Sequence, residues 1–206
     1  NQVSLLSTGL SRALPATPPS LQFITDEIVY GGVGISSIPH DRDAAALCAD
    51  GTLGCAAQAP RPAYLLTSRA TAEANLIRYY SDEAGGAPSS VRRPYLVREG
   101  VIPLTANAAG FDSRGVAIAP TPRLACKARV REASAGRPTA EVERDLALCG
   151  RKPARVFIAN RAPASLLVGE VGDSSSSGLG AYDPDQVRVF ESIPLSVGPS
   201  RVYLAP

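Results

Sequence analysis

One stretch of this 206-residue chain occurs twice. The first copy runs from Pro62-Ala63-Tyr64-Leu65-Leu66-Thr67-Ser68-Arg69-Ala70 through Ile102-Pro103-Leu104-Thr105 to Ser113-Arg114-Gly115-Val116-Ala117-Ile118-Ala119-Pro120. The second runs from Ala154-Arg155-Val156-Phe157-Ile158-Ala159-Asn160-Arg161-Ala162 through Ile193-Pro194-Leu195-Ser196 to Ser200-Arg201-Val202-Tyr203-Leu204-Ala205-Pro206. A repeat built of short apolar segments restricts the chain to folds in which equivalent units stack, because each unit leaves an apolar face that a neighbour must cover. The second copy stops in mid-unit. That predicts further units from residues beyond Pro206, from a second chain, or from copies of this one.

Aligning the copies divides each unit into four short strands in up-and-down order. The first strand is Gly32-Val33-Gly34-Ile35 in one unit and Gly115-Val116-Ala117-Ile118 in the next, with Val202-Tyr203-Leu204 as a third occurrence. A cysteine-bearing insertion follows, residues 39–62 and 121–153. The second strand covers 64–67 or 156–159 and is closed by Ser68-Arg69 or Asn160-Arg161. The third is Asn75-Leu76-Ile77-Arg78-Tyr79-Tyr80 or Ser165-Leu166-Leu167-Val168-Gly169-Glu170-Val171, and a Ser/Gly-rich turn leads to the fourth, 95–102 or 187–193. β-Branched and aromatic residues fill these segments, and Gly, Pro, Asp and Ser bound them, which is the signal for strand, turn, strand.

Stacking such units face to face around an axis is the β-propeller arrangement. The expected fold class is therefore all-β: propeller blades of four antiparallel strands, about two blades plus one strand, with short helical disulfide-bearing insertions. Residues 1–30 form an amino-terminal segment in which Leu21-Gln22-Phe23-Ile24-Thr25 reads as the outer strand of a preceding blade. Residues 31–104 form the first blade, 105–195 the second, and 196–206 the first strand of an incomplete third.

Composition agrees. The 18 Gly and 18 Pro leave little room for long helices, and 45% apolar residues suffice for a core. The net charge of +2 is dispersed, without a run of five like charges, and 5% aromatic content offers few rings for base stacking, which argues against a nucleic-acid surface. No apolar run approaches the roughly 18 residues that cross a bilayer, so no membrane span is expected. The chain starts at Asn1 and lacks Met, which reads as a processed or truncated product.

Four cysteines fall in two local pairs, Cys48 with Cys55 and Cys126 with Cys149. Neither spacing is Cys-x-x-Cys, and the single histidine, His40, leaves few nitrogen ligands for zinc. Two loop disulfides are the economical reading, and they place the protein in a periplasm, on an outer surface or in the medium. The alternative is four unpaired buried thiols in a cytosolic protein. Asp41 or Asp43 caps a short helix over Ala44-Ala45-Ala46-Leu47-Cys48, and Thr139 caps a second in which Val142, Leu146 and Cys149 share a face.

With these segments in view, Gly115-Val116-Ala117-Ile118-Ala119-Pro120, then Arg155-Val156-Phe157-Ile158-Ala159-Asn160, Ser165-Leu166-Leu167-Val168 and 187–194 together resemble one blade of the YVTN-type surface-layer or secreted β-propellers. In that family a G-V-A-V-S-P strand leads to V-Y-V-A-N, then V-S-V-I-D and an outer V-V-A-T-I-P strand. The resemblance covers residues 31–206. It departs where the cysteine insertions replace a short turn and where the chain ends after a first strand. It implies an extracytoplasmic scaffold more than any reaction.

The chemistry carried by individual motifs is thin. Gly172-Asp173-Ser174 is similar to the nucleophile motif of trypsin-like proteases, but Ser175-Ser176-Ser177 follow and His40 sits in an unrelated loop. Gly32-Val33-Gly34 lacks the third glycine of a phosphate-binding loop. Asp183-Pro184-Asp185 with Asp173 supplies hard oxygens without the ladder of a calcium loop, and reads as a solvated turn. His40 reads as a surface-loop residue. Arg69 and Arg161 recur at one repeat position and Arg114 and Arg201 at another, which predicts a structural task such as bonding turn carbonyls or a neighbouring carboxylate. No catalytic, metal or cofactor-binding residues are assigned, and no cofactor; covalent c-type haem lacks its Cys-x-x-Cys-His. The expected function is a structural or protein-interaction module, partnered by another protein, by the rest of a propeller, or by an oligomer, with the insertions as recognition loops. The alternative is part of a propeller enzyme of hydrolase, lactonase or quinone-dependent dehydrogenase type. Carboxylates, histidines or metal ligands at the axis end of the first strands would mark it.

Overall fold

The structure, a computed structural model, describes residues 4–7, 20–23, 32–48, 50–54, 61–80, 95–104, 111–172 and 183–204. Strands β1 (Ser4–Ser7) and β2 (Ser20–Phe23) pair antiparallel with each other. The first unit contributes β3 (Gly32–Ser37), the short helix α1 (Arg42–Ala45), β4 (Ala63–Ser68), β5 (Glu73–Tyr80) and β6 (Tyr95–Pro103). The second contributes β7 (Phe111–Ala119), α2 (Thr121–Glu132), α3 (Thr139–Gly150), β8 (Ala154–Ala162), β9 (Ala164–Val171) and β10 (Val187–Pro194). Each unit forms one four-stranded sheet in which sequence neighbours pair antiparallel, β3-β4-β5-β6 and β7-β8-β9-β10. The protein is mostly β, with two such sheets and few helices.

The two first strands carry a bulge at the same point, between Gly32 and Gly34 against β4 and between Ser113 and Gly115 against β8. Ser68 and Asn160 therefore stand at equivalent positions, and Gly34, not Gly32, is the counterpart of Gly115. Matching Gly32-Val33 to Gly115-Val116 by letters alone misplaces β3 by two residues, whereas the ladders set Gly34 opposite Thr67 and Gly115 opposite Ala159.

Side chains alternate between the two sides of a strand, and the registers show which side is which. Ala63, Leu65, Ala74 and Leu104 of the first unit bury themselves against Val156, Ile158, Leu167 and Val171 of the second, with Ile38, Ile118 and Ala154 completing this core. On the other side of the first sheet, Leu66, Ile77 and Leu96 cluster with Tyr64 and Tyr79. Leu66 and Ile158 are repeat equivalents, yet Leu66 points away from the second sheet while Ile158 points towards the first. The sheets thus stack in the same sense, front of one against back of the next.

Helix α1 is capped by Asp41, whose carboxylate accepts from the backbone N–H of Asp43 and Ala44. It stops short of Cys48. Thr139 is the first residue of α3 rather than its cap; Pro138 precedes it and makes no side-chain cap bond. Helix α2 is unannounced by apolar periodicity, because the residues it buries are Arg123 and Lys127, four apart on one face. Residues 202–204, expected as a strand, have no regular structure. No described helix is long and apolar enough to cross a membrane.

Candidate functional site

The two insertions are not separate loops. Lys127 of α2 places its ammonium 2.7 Å from the carboxylates of Asp41 and Asp43, which flank the start of α1. Burial alone lowers the Lys127 pKa, but the hydrogen bonds and charges of Asp41 and Asp43 outweigh it and hold the ammonium protonated above its ordinary value. Arg123, fully buried, donates from Nε to the carbonyl of Lys152 at 2.5 Å and from Nη1 to the carbonyl of Pro39 in the first insertion. Arg151, just past α3, donates to the carbonyl of Leu47 at 2.5 Å. Gly150 lies against the Asp41 carboxylate with no room for a Cβ.

A disulfide between Cys126 and Cys149, Cα atoms 5.5 Å apart, ties α2 to α3. Cys48 is disulfide-bonded as well, and Cys55 lies outside the described residues. Three cations of the second unit therefore bind carbonyls and carboxylates of the first, so that α1, α2 and α3 form one helical platform at one end of the sheets. Its outer surface carries Leu124, Arg129, Arg131, Glu141 and Glu143.

Next to the platform, a second polar network joins the sheets. His40 Nε2 lies 2.5 Å from Asp185 Oδ1, and Arg78 Nη1 of β5 lies 2.6 Å from Asp185 Oδ2. The Arg78 Nε reaches Glu99 of β6 at 2.5 Å. Asp185, expected in a solvated turn, is buried, and His40, expected on the surface, is half-buried beside it. Burial raises the Asp185 pKa, but His40 and then Arg78 outweigh it through hydrogen bonds and charge and hold the carboxyl below its ordinary range. Asp183 accepts from the Asp185 backbone N–H, and Asp173, the remaining oxygen in the calcium reading, lies outside the described residues.

The recurring arginines lie at the other end of the strands. Asp112, at the start of β7 with a positive φ of 59°, is 2.5 Å from Arg114 Nε and 3.9 Å from Arg161 Nε. The hydrogen bond from Arg114 first, then the charges of Arg114, Arg161 and Arg69, hold the Asp112 carboxyl below its ordinary value. Arg114 and Arg161 of the second unit meet at this one carboxylate, and Arg69 of the first unit acts on it through its charge. Arg201 instead donates to the Tyr203 hydroxyl at 3.0 Å. The neighbouring Asn160 is fully buried and closes the β8–β9 turn, donating to the Pro163 carbonyl at 2.7 Å. Ser68 does the equivalent after β4 by accepting from the N–H groups of Ala70 and Thr71.

Chemically, these clusters join units. In the first strands the described carboxylate is Asp112, already neutralised by arginine, and among the described residues no three His, Cys, Asp or Glu side chains converge as metal ligands. The sequence alone does not single out Asp112, Arg78, Glu99, Arg123 or Lys127. For Lys127 a signal exists: an i, i+4 pair of cations in one insertion, whose counterpart carries Asp41 and Asp43. No family, curated protein or solved structure matches this chain. The likeness to YVTN-type propellers rests on the quoted segments alone.

Proposed function

We propose that this chain is an extracytoplasmic segment of stacked, propeller-type four-stranded blades, serving as a structural and protein-interaction module whose recognition surface is the helical platform. The observation that carries the reading is the bonding of the two insertions into one body through Lys127, Arg123 and Arg151. Loops held rigid on a scaffold bind at lower entropic cost than free ones. Same-sense stacking of the two sheets supports the propeller class, and the Cys126–Cys149 disulfide supports an oxidising compartment.

A photoreactive residue in place of the exposed Leu124 tests the recognition surface in cells that make the protein. Cross-links to another protein from this position, and not from Arg69 at the opposite end, are the expected result. Equal labelling from both ends sinks the platform as the recognition surface. Intact mass before and after reduction tests the compartment: four free thiols in freshly isolated protein would remove the extracytoplasmic reading.

A further inference from the structure

Folding sets several of this chain's cations against enough carboxylate to neutralise them. Lys127 meets Asp41 and Asp43, Arg78 meets Asp185 and Glu99, and Arg137 meets Asp145 and Glu141. Arg155 and Arg188 share Glu170, and their guanidinium groups also lie 5.7 and 5.9 Å from the centre of the Phe190 ring, whose face attracts cations. At the strand ends opposite the platform the proportion is reversed, because Arg69, Arg114 and Arg161 all act on the single carboxylate of Asp112. Arg114 takes up both of its oxygens, Nε lying 2.5 Å from Oδ1 and Nη2 donating to Oδ2 at 3.0 Å. Arg161 Nε stands 3.9 Å from Oδ2, beyond hydrogen-bond reach, and Arg69 acts on the carboxylate through its charge. Glu73, the acid nearest to Arg69 in sequence, forms no ion pair with it among the described residues.

The repeat accounts for the reversal. Arg69 and Arg161 hold one repeat position, but where the second unit has Asp112, one residue before Ser113, the first has Gly31, one residue before Gly32. The arginine recurs and its acid does not. Guanidinium groups stay charged at any ordinary pH, so three arginines less one carboxylate leave two positive charges at the junction of the units. We propose that the exposed side chains of Arg69 and Arg161, backed by the Arg114–Asp112 pair, form a binding site for a doubly charged oxyanion, a phosphate or sulfate group. The planar arginine fork offers paired N–H groups to such oxygens, and a chloride ion supplies neither the second charge nor the paired acceptors. One fork comes from each unit, so the bound anion also clamps the first unit to the second.

Calorimetric titration of the full chain with sodium phosphate and with sodium sulfate tests the site, at constant ionic strength and at a pH that leaves phosphate doubly ionised. Saturable binding of both ions is expected. Phenyl phosphate separates the sources: binding equal to that of phosphate assigns the site to a group carried on an organic molecule, its exclusion to the free ion, and both uphold the proposal. Arg69→Gln and Arg161→Gln are each expected to weaken binding about tenfold. Arg155→Gln is the control on the same strand as Arg161, its side chain 47% exposed against 46%, and is expected to leave binding unchanged. Asp112→Asn is expected to tighten binding, because it removes the competing charge and asparagine accepts the φ of 59°. Glutamine at 161 keeps the Cβ and Cγ that lie beside Gly198, and thermal unfolding without anion checks each variant's fold. If Arg161→Gln unfolds early, the exposed Arg69 decides. A parent chain that binds neither ion saturably overturns the proposal, and so does binding that Arg69→Gln and Arg155→Gln weaken alike. Cross-linking through Leu124 is independent of these outcomes, so the module reading stands or falls separately.

Discussion

Gly34 of the first sheet lies directly against the backbone of Arg114 in the second: a Cβ built on Gly34 would stand 2.5 Å from the Arg114 carbonyl oxygen. The same relationship recurs one unit later, where a Cβ on Gly115 would stand 2.9 Å from the Cα of Arg201. The recurring glycine and the recurring arginine are thus two sides of one contact between successive first-strand positions. Arg201 and Val202 lie beside Gly115 of β7, although they make no ladder there.

Gly34→Ala is expected to destabilise the chain by about 1–3 kcal/mol, because the nearest obstructing atom is the Arg114 carbonyl oxygen, a backbone atom that cannot rotate away. Gly100→Ala is its control, since the nearest atom to a Cβ there is 3.8 Å away. Urea unfolding followed by circular dichroism reads both; equal midpoints for the two variants would remove the steric account of the close spacing between sheets.

Removing the Lys127 ammonium leaves two carboxylates facing each other beside α1. Lys127→Met keeps most of the side-chain volume and is expected to cost about 1.5–3 kcal/mol, the range for hydrogen bonds to charged groups. A loss that disappears on adding Asp41→Asn and Asp43→Asn identifies charge as the cause. A variant as stable as the parent shows that the platform is held together without this cluster.

Acid should loosen the network around Asp185. Its folded pKa is depressed, so the stability it confers is complete above the unfolded value of about 3.9 and is lost as pH falls through the lower folded value. The parent chain is expected to lose stability on acidification across that window. Asp185→Asn should start less stable near neutrality and decline less steeply. Parallel declines would mean that other carboxyl groups set the acid response.

Reducing the platform's own cross-link has a separate cost. The Cys126–Cys149 bond joins residues 23 apart in sequence, and loop-closure entropy puts its contribution at about 3 kcal/mol. The Cys126→Ser, Cys149→Ser double variant is expected to unfold at lower denaturant by that amount while the sheets keep their far-ultraviolet signature. An unchanged midpoint would mean that the Lys127, Arg123 and Arg151 contacts suffice alone.

Turn residues and β-branched runs place most strands of both sheets to within a residue or two, since those signals are local, but miss the first four residues of β7 and the last three of β8. The repeat correctly makes the two units equivalent. Helix α2 has no such signal, because Arg123 and Lys127 occupy its inward face, where an apolar stripe would ordinarily announce a helix. His40 and Asp185 each look solvated in sequence because the partner that buries them is 145 residues away. Gly32 resembles the counterpart of Gly115 because each opens a Gly-Val pair, and only the ladder pairing shows that Gly34 holds that position.

By itself, the amino-acid order determined the two four-stranded sheets, their meander order and the pairing of Cys126 with Cys149, because each depends on backbone preferences and spacings that are local in the chain. Tertiary packing decided which side of each sheet faces the other, which arginines share Asp112, and that two insertions become one platform. Those outcomes depend on charges and backbone atoms that meet only when the units stack, and burying Lys127, Arg123 or Asp185 is tolerable only with a partner in place.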